Sequence, residues 1–247
     1  MRAGVFDSGI GGLTVLKSLL EHNLFEEIIY YGDTARVPYG SKDKNTIIRY
    51  GIEAVEFFKN FDIDLLIVAC NSVSAFALQE MQEVADYPVV GVVEAGVLAT
   101  NTKIFDKNAS IMVIGTKATI SSSAYEDGLK KYGYKDILSL PTPLFVPLVE
   151  EGIFGGEVLD SVLRHYFKDL QTPDAIILGC THFPLIASAI ENYFNDTPLL
   201  VHSGEAIVQE LTSRLNLSKR YKDTKLHFFA SDNPTFLKSV AKRWLAI

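Results

Sequence analysis

Asp64-Leu65-Leu66-Ile67-Val68-Ala69-Cys70-Asn71-Ser72 and Asp174-Ala175-Ile176-Ile177-Leu178-Gly179-Cys180-Thr181-His182 decide the fold. Each stretch runs from an acidic residue through an unbroken apolar segment to a small residue, a cysteine and two polar residues. An apolar run this short suits a strand buried on both faces, as in a parallel sheet covered by helices. Each cysteine then stands just past the carboxyl end of a buried strand, where open α/β sheets place their ligands. The two stretches read as rough copies of each other, and their separation suits one cysteine per domain.

Working outward, runs of the same kind at residues 3–6, 27–31, 89–92, 110–114, 137–140, 198–201 and 226–230 join 65–69 and 175–178 as predicted strands. Between them, residues 12–20, 44–58, 74–84, 119–132, 156–167, 185–194 and 204–215 carry apolar positions three to four apart, the spacing of helices that bury one face. Strands alternating with helices predict an α/β fold. With 247 residues, 48% of them hydrophobic and 21% charged, the chain can build a sizeable core as one large domain or two small ones.

A formal net charge of −7 argues against a nucleic-acid or anionic-membrane surface, because phosphate binding draws on clustered Lys and Arg. No apolar run approaches the roughly 20 residues of a membrane helix, and no apolar signal core follows Met1. The expected setting is the cytoplasm, and the expected partner a small molecule, with no nucleic acid and no membrane. Two cysteines in a reducing compartment are poor candidates for a disulfide, and either one alone reads as a small buried hydrophobe. The only two in the chain, in matching strand-end positions followed by polar turn residues, point to chemistry instead.

The opening Asp7-Ser8-Gly9-Ile10-Gly11-Gly12 is a strand end and a Gly-rich turn into a helix. It lacks the third glycine of a dinucleotide loop and the Lys-Ser/Thr of a P-loop. Its glycines would let backbone N–H groups approach an anion at the helix N-terminus, and a substrate carboxylate would serve. Asp7 is then either an acid at the strand end or a helix cap. Residues 31–41 form a turn-rich loop that carries aromatic and charged groups, as site-forming loops do. Residues 115–125 offer several hydroxyls at a helix start, enough to hold a second carboxylate. His182 stands beside Cys180, and Glu150 is a candidate acid–base partner if the fold brings it near. Cys-Thr-His is at most half a zinc site, and the missing ligands argue against a metal. His22, His165, His202 and His227 read as surface or hydrogen-bonded residues, and Trp244 as core.

Together, Asp-Ser-Gly-Ile-Gly-Gly (7–12), Pro-Tyr-Gly (38–40), Ala-Cys-Asn-Ser (69–72), Gly-Thr-Lys-Ala-Thr (115–119) and Leu-Gly-Cys-Thr-His-Phe-Pro-Leu (178–185) closely resemble the motifs of the glutamate racemases, in the same order. The resemblance implies two similar α/β domains related by a pseudo-twofold, each a mainly parallel sheet flanked by helices, with the active site in the cleft between them. The first domain would comprise residues 1–92 plus 206–247 and the second 93–205. The implied activity interconverts L- and D-glutamate without cofactor or metal, supplies the D isomer for peptidoglycan, and often resides in a homodimer. By the same resemblance Cys70 and Cys180 move the α-proton, Asp7 assists Cys70, and Glu150 and His182 attend Cys180. The implied substrate contacts are Ser8, Tyr39, Gly40, Asn71, Ser72, Thr116, Thr119 and Thr181. Two positions depart from the family pattern. Ser72 stands where Thr is common, and His202-Ser203 where many relatives have Asp-Ser, so His202 is given no role.

The two-thiol reading also fits the chemistry: inverting a stereocentre by proton transfer needs a base on one face and an acid on the other, and a pair of thiols supplies both. Three other readings use the same residues: a racemase of aspartate or another acidic amino acid, a thiol hydrolase built on Cys180, His182 and Glu150, and a module that binds an acidic ligand without turning it over.

Overall fold

In the computed structural model, residues 1–214 and 220–245 are described. They form nine strands: β1 (Arg2–Asp7), β2 (Glu27–Gly32), β3 (Leu65–Val68), β4 (Val89–Gly91), β5 (Ser110–Gly115), β6 (Asp136–Pro141), β7 (Ala175–Gly179), β8 (Leu199–His202) and β9 (Lys225–Ala230). Every predicted strand is present within two residues at either end. The central strands β1, β3, β5 and β7 are apolar and almost wholly buried because helices cover both faces, which is why their sequences show no alternation.

The strands divide between two sheets, ordered β4-β3-β1-β2-β9 and β6-β5-β7-β8, with every pairing parallel. Read from its far edge, the second sheet runs β8-β7-β5-β6. It repeats the order β4-β3-β1-β2, with β9 added to the first sheet. The matching stretches recognised in the sequence are therefore equivalent strands, β3 and β7, of two similarly wound α/β halves. Register carries the equivalence to the strand ends: Phe6 pairs with Val68, so Asp7 lies beside the approach to Cys70, and Gly115 pairs with Gly179, so Thr116 lies beside Cys180.

The helices depart from expectation in instructive ways. The span 44–58 is found unchanged as Lys44–Phe58, started by Asp43, whose carboxylate accepts the Thr46 N–H at 3.0 Å. The single helix expected over 74–84 is two, Asn71–Phe76 and Leu78–Val84, broken at Ala77. That over 119–132 is also two, Lys117–Ser121 and Ala124–Lys131, separated by Ser123 with φ 58°. Both early starts serve the site, since they place Asn71 and Thr116 at helix beginnings. The expected helix 185–194 begins as a 3-10 turn, Phe183–Ile186, before Ala187–Tyr193, and 204–215 is found as Ser203–Arg214, position 215 lying outside the described residues. Helices Val92–Lys103, Phe145–Glu150 and Pro234–Leu245 were not anticipated. The first of these packs between the two halves, so apolar residues lie around most of its circumference and no 3.6-residue stripe stands out. Trp244, half-buried, touches an apolar cluster shared by the two halves and another of the second half. Among the described residues, no helix is long and apolar enough to cross a membrane.

Candidate active site

The carboxyl ends of β1, β3, β5 and β7 converge on one small cavity of about 20 Å³. Both cysteines line it, with Ser8, Val37, Tyr39, Gly40, Asn71, Ser72, Thr116, Val146, Thr181 and His182. The volume is room for about one water. Larger hollows exist elsewhere, such as one of about 290 Å³ between Leu13, Pro184 and Trp244, but it is not lined by either thiol. The convergence of chemistry, rather than size, marks this cavity.

Cys70 ends the β3 run and precedes the helix Asn71–Phe76, whose first turn it opens. Its backbone N–H reaches the Phe6 carbonyl at 3.4 Å, and its carbonyl accepts the Ser74 N–H at 2.8 Å. The thiol donates to Ser8 Oγ at 3.6 Å. Burial, then the charge of Asp7, push the Cys70 thiol up to about 12, with Cys180 acting in the same direction; the Val73 N–H and the Ser8 hydroxyl pull the other way. Asp7 thus acts on Cys70 through its field.

Cys180 follows β7 through Gly179. A methyl group at 179 would sit 2.8 Å from the Ile114 carbonyl oxygen, so a close approach of β5 to β7 requires glycine there. Cys180 Sγ lies 3.7 Å from His182 Nδ1, and His182 Nε2 lies 3.3 Å from Glu150 Oε1, an ion-pair distance without hydrogen-bond alignment. The helix Phe145–Glu150 that brings Glu150 there is one the sequence pattern did not reveal. Burial opposes a His182 cation, but Cys180, Glu150 and Asp7 outweigh it and carry the imidazolium up to about 10. Cys180 therefore faces a cation at close range, a partner that Cys70 lacks among the described residues.

Asp7 is fully buried between the two halves. It accepts the Gly9 N–H at 3.0 Å and the Thr181 hydroxyl at 3.3 Å, and its pKa is raised by burial against the opposing pull of His182, the Gly9 and Gly12 N–H groups and Thr181. Two N–H groups of the Gly-rich turn, those of Gly9 and Gly12, are directed at Asp7 itself, an internal anion. The helix-cap alternative for Asp7 is not realised, because the following helix is preceded by Gly12 with no side-chain cap.

Ser72, Thr116 and Thr119 meet across the cleft. Ser72 Oγ lies 2.9 Å from Thr116 Oγ1 and 3.2 Å from Thr119 Oγ1, and the two threonine oxygens are 3.0 Å apart. Thr116 also caps its helix by accepting the Thr119 N–H at 3.2 Å. Three hydroxyls and a helix start present a donor-rich wall suited to a carboxylate. Gly40 packs against Thr116, and the Tyr39 ring lines the cavity while its hydroxyl donates to Asp33.

Every residue singled out from the sequence lines this cavity, except Asp7, Glu150 and Thr119, which contact residues that do. Three participants were missed. Asp33, fully buried, holds Tyr39 and accepts from Arg36 Nε at 2.6 Å. Tyr125 and Ser203 hold Asn71. Asp33 and Tyr125 lie inside the two loops noted for their composition, which was the available signal. Ser203 had none of its own.

The Asp/Glu/Hydantoin racemase family model matches residues 15–211. The chain is 62% identical to a glutamate racemase of a Nitratiruptor species, over 99% of this chain and 96% of that one. A crystal structure of glutamate racemase from Campylobacter jejuni subsp. jejuni superposes with a TM-score of 0.99 at 55% identity, covering 100% of this chain and 99% of that one. That of Francisella tularensis subsp. tularensis, in complex with D-glutamate, superposes with a TM-score of 0.87 at 35% identity, covering 100% and 94%. A fold of two equivalent halves, a pair of thiols at their junction and relatives that span nearly the whole chain lead to one conclusion: the chain belongs to the glutamate racemase family of the Asp/Glu/Hydantoin racemases.

Proposed function

We propose that this chain interconverts L- and D-glutamate by passing the α-proton between Cys70 and Cys180, with no cofactor. The observation that carries the proposal is the placement of both thiols on one cavity from equivalent strands of opposite halves. In the L to D direction the Cys180 thiolate takes the α-hydrogen as a proton and leaves its electron pair on the α-carbon. The Cys70 thiol returns a proton to the opposite face and becomes the thiolate. The D to L direction exchanges the two roles, and each turnover leaves the pair set for the reverse reaction.

His182, held charged by Cys180, Glu150 and Asp7, stands beside Cys180 as its cationic partner, while the Ser8 hydroxyl and the Val73 N–H favour the thiolate of Cys70. The Ser72–Thr116–Thr119 hydroxyls, at the helix start that Thr116 caps, receive a carboxylate of the substrate, and Asn71, Thr181, Tyr39 and Gly40 bound the rest. A five-carbon diacid cannot enter a space of about 20 Å³, so the cleft opens to admit it and closes to exclude water, which strengthens each fixed donor. The division into 1–92 plus 206–247 against 93–205, a cytoplasmic homodimer and a role in supplying D-glutamate for peptidoglycan belong to the same proposal.

Cys180, His182 and Glu150 alone would suit a thiol hydrolase. That reading leaves Cys70 without a role on the same cavity. Purified protein incubated with L-glutamate in D2O, without added cofactor, separates them. Loss of optical activity with α-deuterium uptake, abolished in Cys70→Ser and in Cys180→Ser, is expected. Unchanged optical activity and no deuterium in the folded wild type would overturn the proposal, and turnover that survives Cys70→Ser would favour one-thiol chemistry.

A further inference from the structure

Asn71 is buried beside Cys70, and both ends of its amide are taken up by the other half of the molecule. Tyr125 hydroxyl donates to Asn71 Oδ1 at 2.7 Å, and Asn71 Nδ2 donates to Ser203 Oγ at 3.3 Å. The Ser203 hydroxyl spends its own hydrogen on the Leu178 carbonyl of β7, at 3.4 Å. With its hydrogen directed there, Ser203 accepts from Asn71, so the amide nitrogen faces Ser203 and the oxygen faces Tyr125. An amide nitrogen carries two hydrogens. One is used by Ser203, and the second is left for the cavity that Asn71 lines.

The Tyr125 ring is itself held in a slot. A methyl group at Gly96 would meet its Cε1 at 3.0 Å, and one at Gly179, the residue before Cys180, would meet its Cε2 at 3.3 Å. The ring is wedged between the helix Val92–Lys103 and the end of β7. Its hydroxyl thus references Asn71, next to Cys70, to the strand end that carries Cys180.

We propose that Tyr125, aided by Ser203, is a positioning residue that locks the Asn71 amide with an N–H aimed into the cavity, where it meets an oxygen of the substrate. The proposal rests on the reading of this cavity as the glutamate site. Loss of the phenol hydroxyl frees the amide to rotate and leaves its oxygen without a partner, a loss comparable with one buried hydrogen bond.

The test is steady-state racemisation of L-glutamate by wild type, Tyr125→Phe, Asn71→Ala, the double variant and Ser203→Ala, together with the side-chain amide resonances of 15N-labelled protein. Tyr125→Phe is expected to raise KM about tenfold while kcat stays within about threefold. A merely structural loss would reduce the active fraction, and with it kcat, and leave KM alone. In the Asn71→Ala background the same substitution is expected to add less than about twofold, because its effect passes through the missing amide. Ser203→Ala is expected to raise KM in the same sense. The Asn71 NH2 pair, protected and sharp in wild type, is expected to broaden or exchange faster in Tyr125→Phe. An unchanged KM with an unshifted Asn71 pair overturns the inference while leaving the proposed function intact. Equal effects of Tyr125→Phe with and without Asn71 overturn it too. Absence of racemisation in wild type removes the proposed function instead, and the Asn71 resonances then decide the locking by themselves.

Discussion

Gly11 offers a direct test of whether the imidazole at position 182 must sit where it does. A Cβ added at Gly11 would lie 2.4 Å from Thr181 Oγ1, 2.6 Å from His182 Nδ1 and 2.7 Å from His182 Cε1. Ordinary contact begins near 3.4 Å, so in Gly11→Ala the ring must retreat by the difference from 2.6 Å, about 0.8 Å. It has little room: Cys180 Sγ is 3.7 Å from Nδ1, Glu150 Oε1 is 3.3 Å from Nε2, and the residue is 3% exposed. The Thr181 hydroxyl, which donates to Asp7 at 3.3 Å, is displaced with it. Overpacking of this kind costs about 1–3 kcal/mol, which in a chain of this size lowers Tm by roughly 2–4 °C per kcal/mol. A misplacement near 1 Å in a proton-transfer site costs about 100-fold in rate.

Gly11→Ala is therefore expected to remain folded at 25 °C with a modestly lower Tm and to lose about two orders of magnitude in kcat/KM, followed by circular dichroism starting from either enantiomer. Gly155→Ala is the control, since a Cβ there has nothing within 4 Å. It is expected to change stability by less than about 0.5 kcal/mol and to leave the rate alone. A Gly11→Ala protein that keeps more than a third of the wild-type kcat/KM would refute the need for His182 at its observed place beside Cys180.

The raised groups also predict how stability varies with pH. His182 is carried up to about 10 in the folded protein, and the Cys70 thiol to about 12, so the folded state holds protons that the unfolded chain has released. Their contribution is fully present below the unfolded pKa values, near 6.5 for His and 8.5 for Cys, and is lost as pH rises through the folded ones. Denaturant midpoints are expected to fall from pH 7 to 10, and to fall less steeply in His182→Asn; equal slopes would contradict a folded-state imidazolium. Tyr39→Phe removes a hydroxyl directed at Asp33 rather than at the cavity. It is expected to cost about 1 kcal/mol of stability and less than about threefold in kcat/KM, and a 100-fold loss of activity would mean that the hydroxyl meets the substrate.

Which parts were legible in the sequence follows from how local each signal is. The strands β1, β3, β5 and β7 were readable because burial on both faces leaves a continuous apolar run, a property of adjacent residues alone. Helix Lys44–Phe58 was readable for the same reason, since it has a one-sided apolar stripe and a capping Asp43. Val92–Lys103 was not, because its surroundings on several sides come from both halves. Nor was Phe145–Glu150, six residues long with Pro147 inside it, too short for a period to register. The breaks at Ala77 and Ser123 were missed because tertiary contacts, rather than local propensity, set where the preceding helices begin.

The site divides along the same line. Cys70 and Cys180 could be found because each closes a legible strand, and the repeat of one pattern gave the second cysteine the meaning of the first. Equivalence of strand position says nothing about equivalence of surroundings, and the two thiols differ there. Cys70 faces Ser8 and the field of Asp7, and is pushed up to about 12; Cys180 faces His182, backed by Glu150. A symmetric reaction is thus proposed on an asymmetric pair. With an equilibrium constant of one between mirror-image substrates, unequal bases cannot favour either direction overall. They can only shift which thiol holds the proton at rest, and so divide kcat and KM differently between L- and D-glutamate while kcat/KM stays equal for both. The asymmetry of the two surroundings is therefore compatible with the racemisation that the repeat suggested, and unequal kcat/KM values for the two enantiomers at equilibrium-consistent conditions would be the sign that something other than racemisation is taking place.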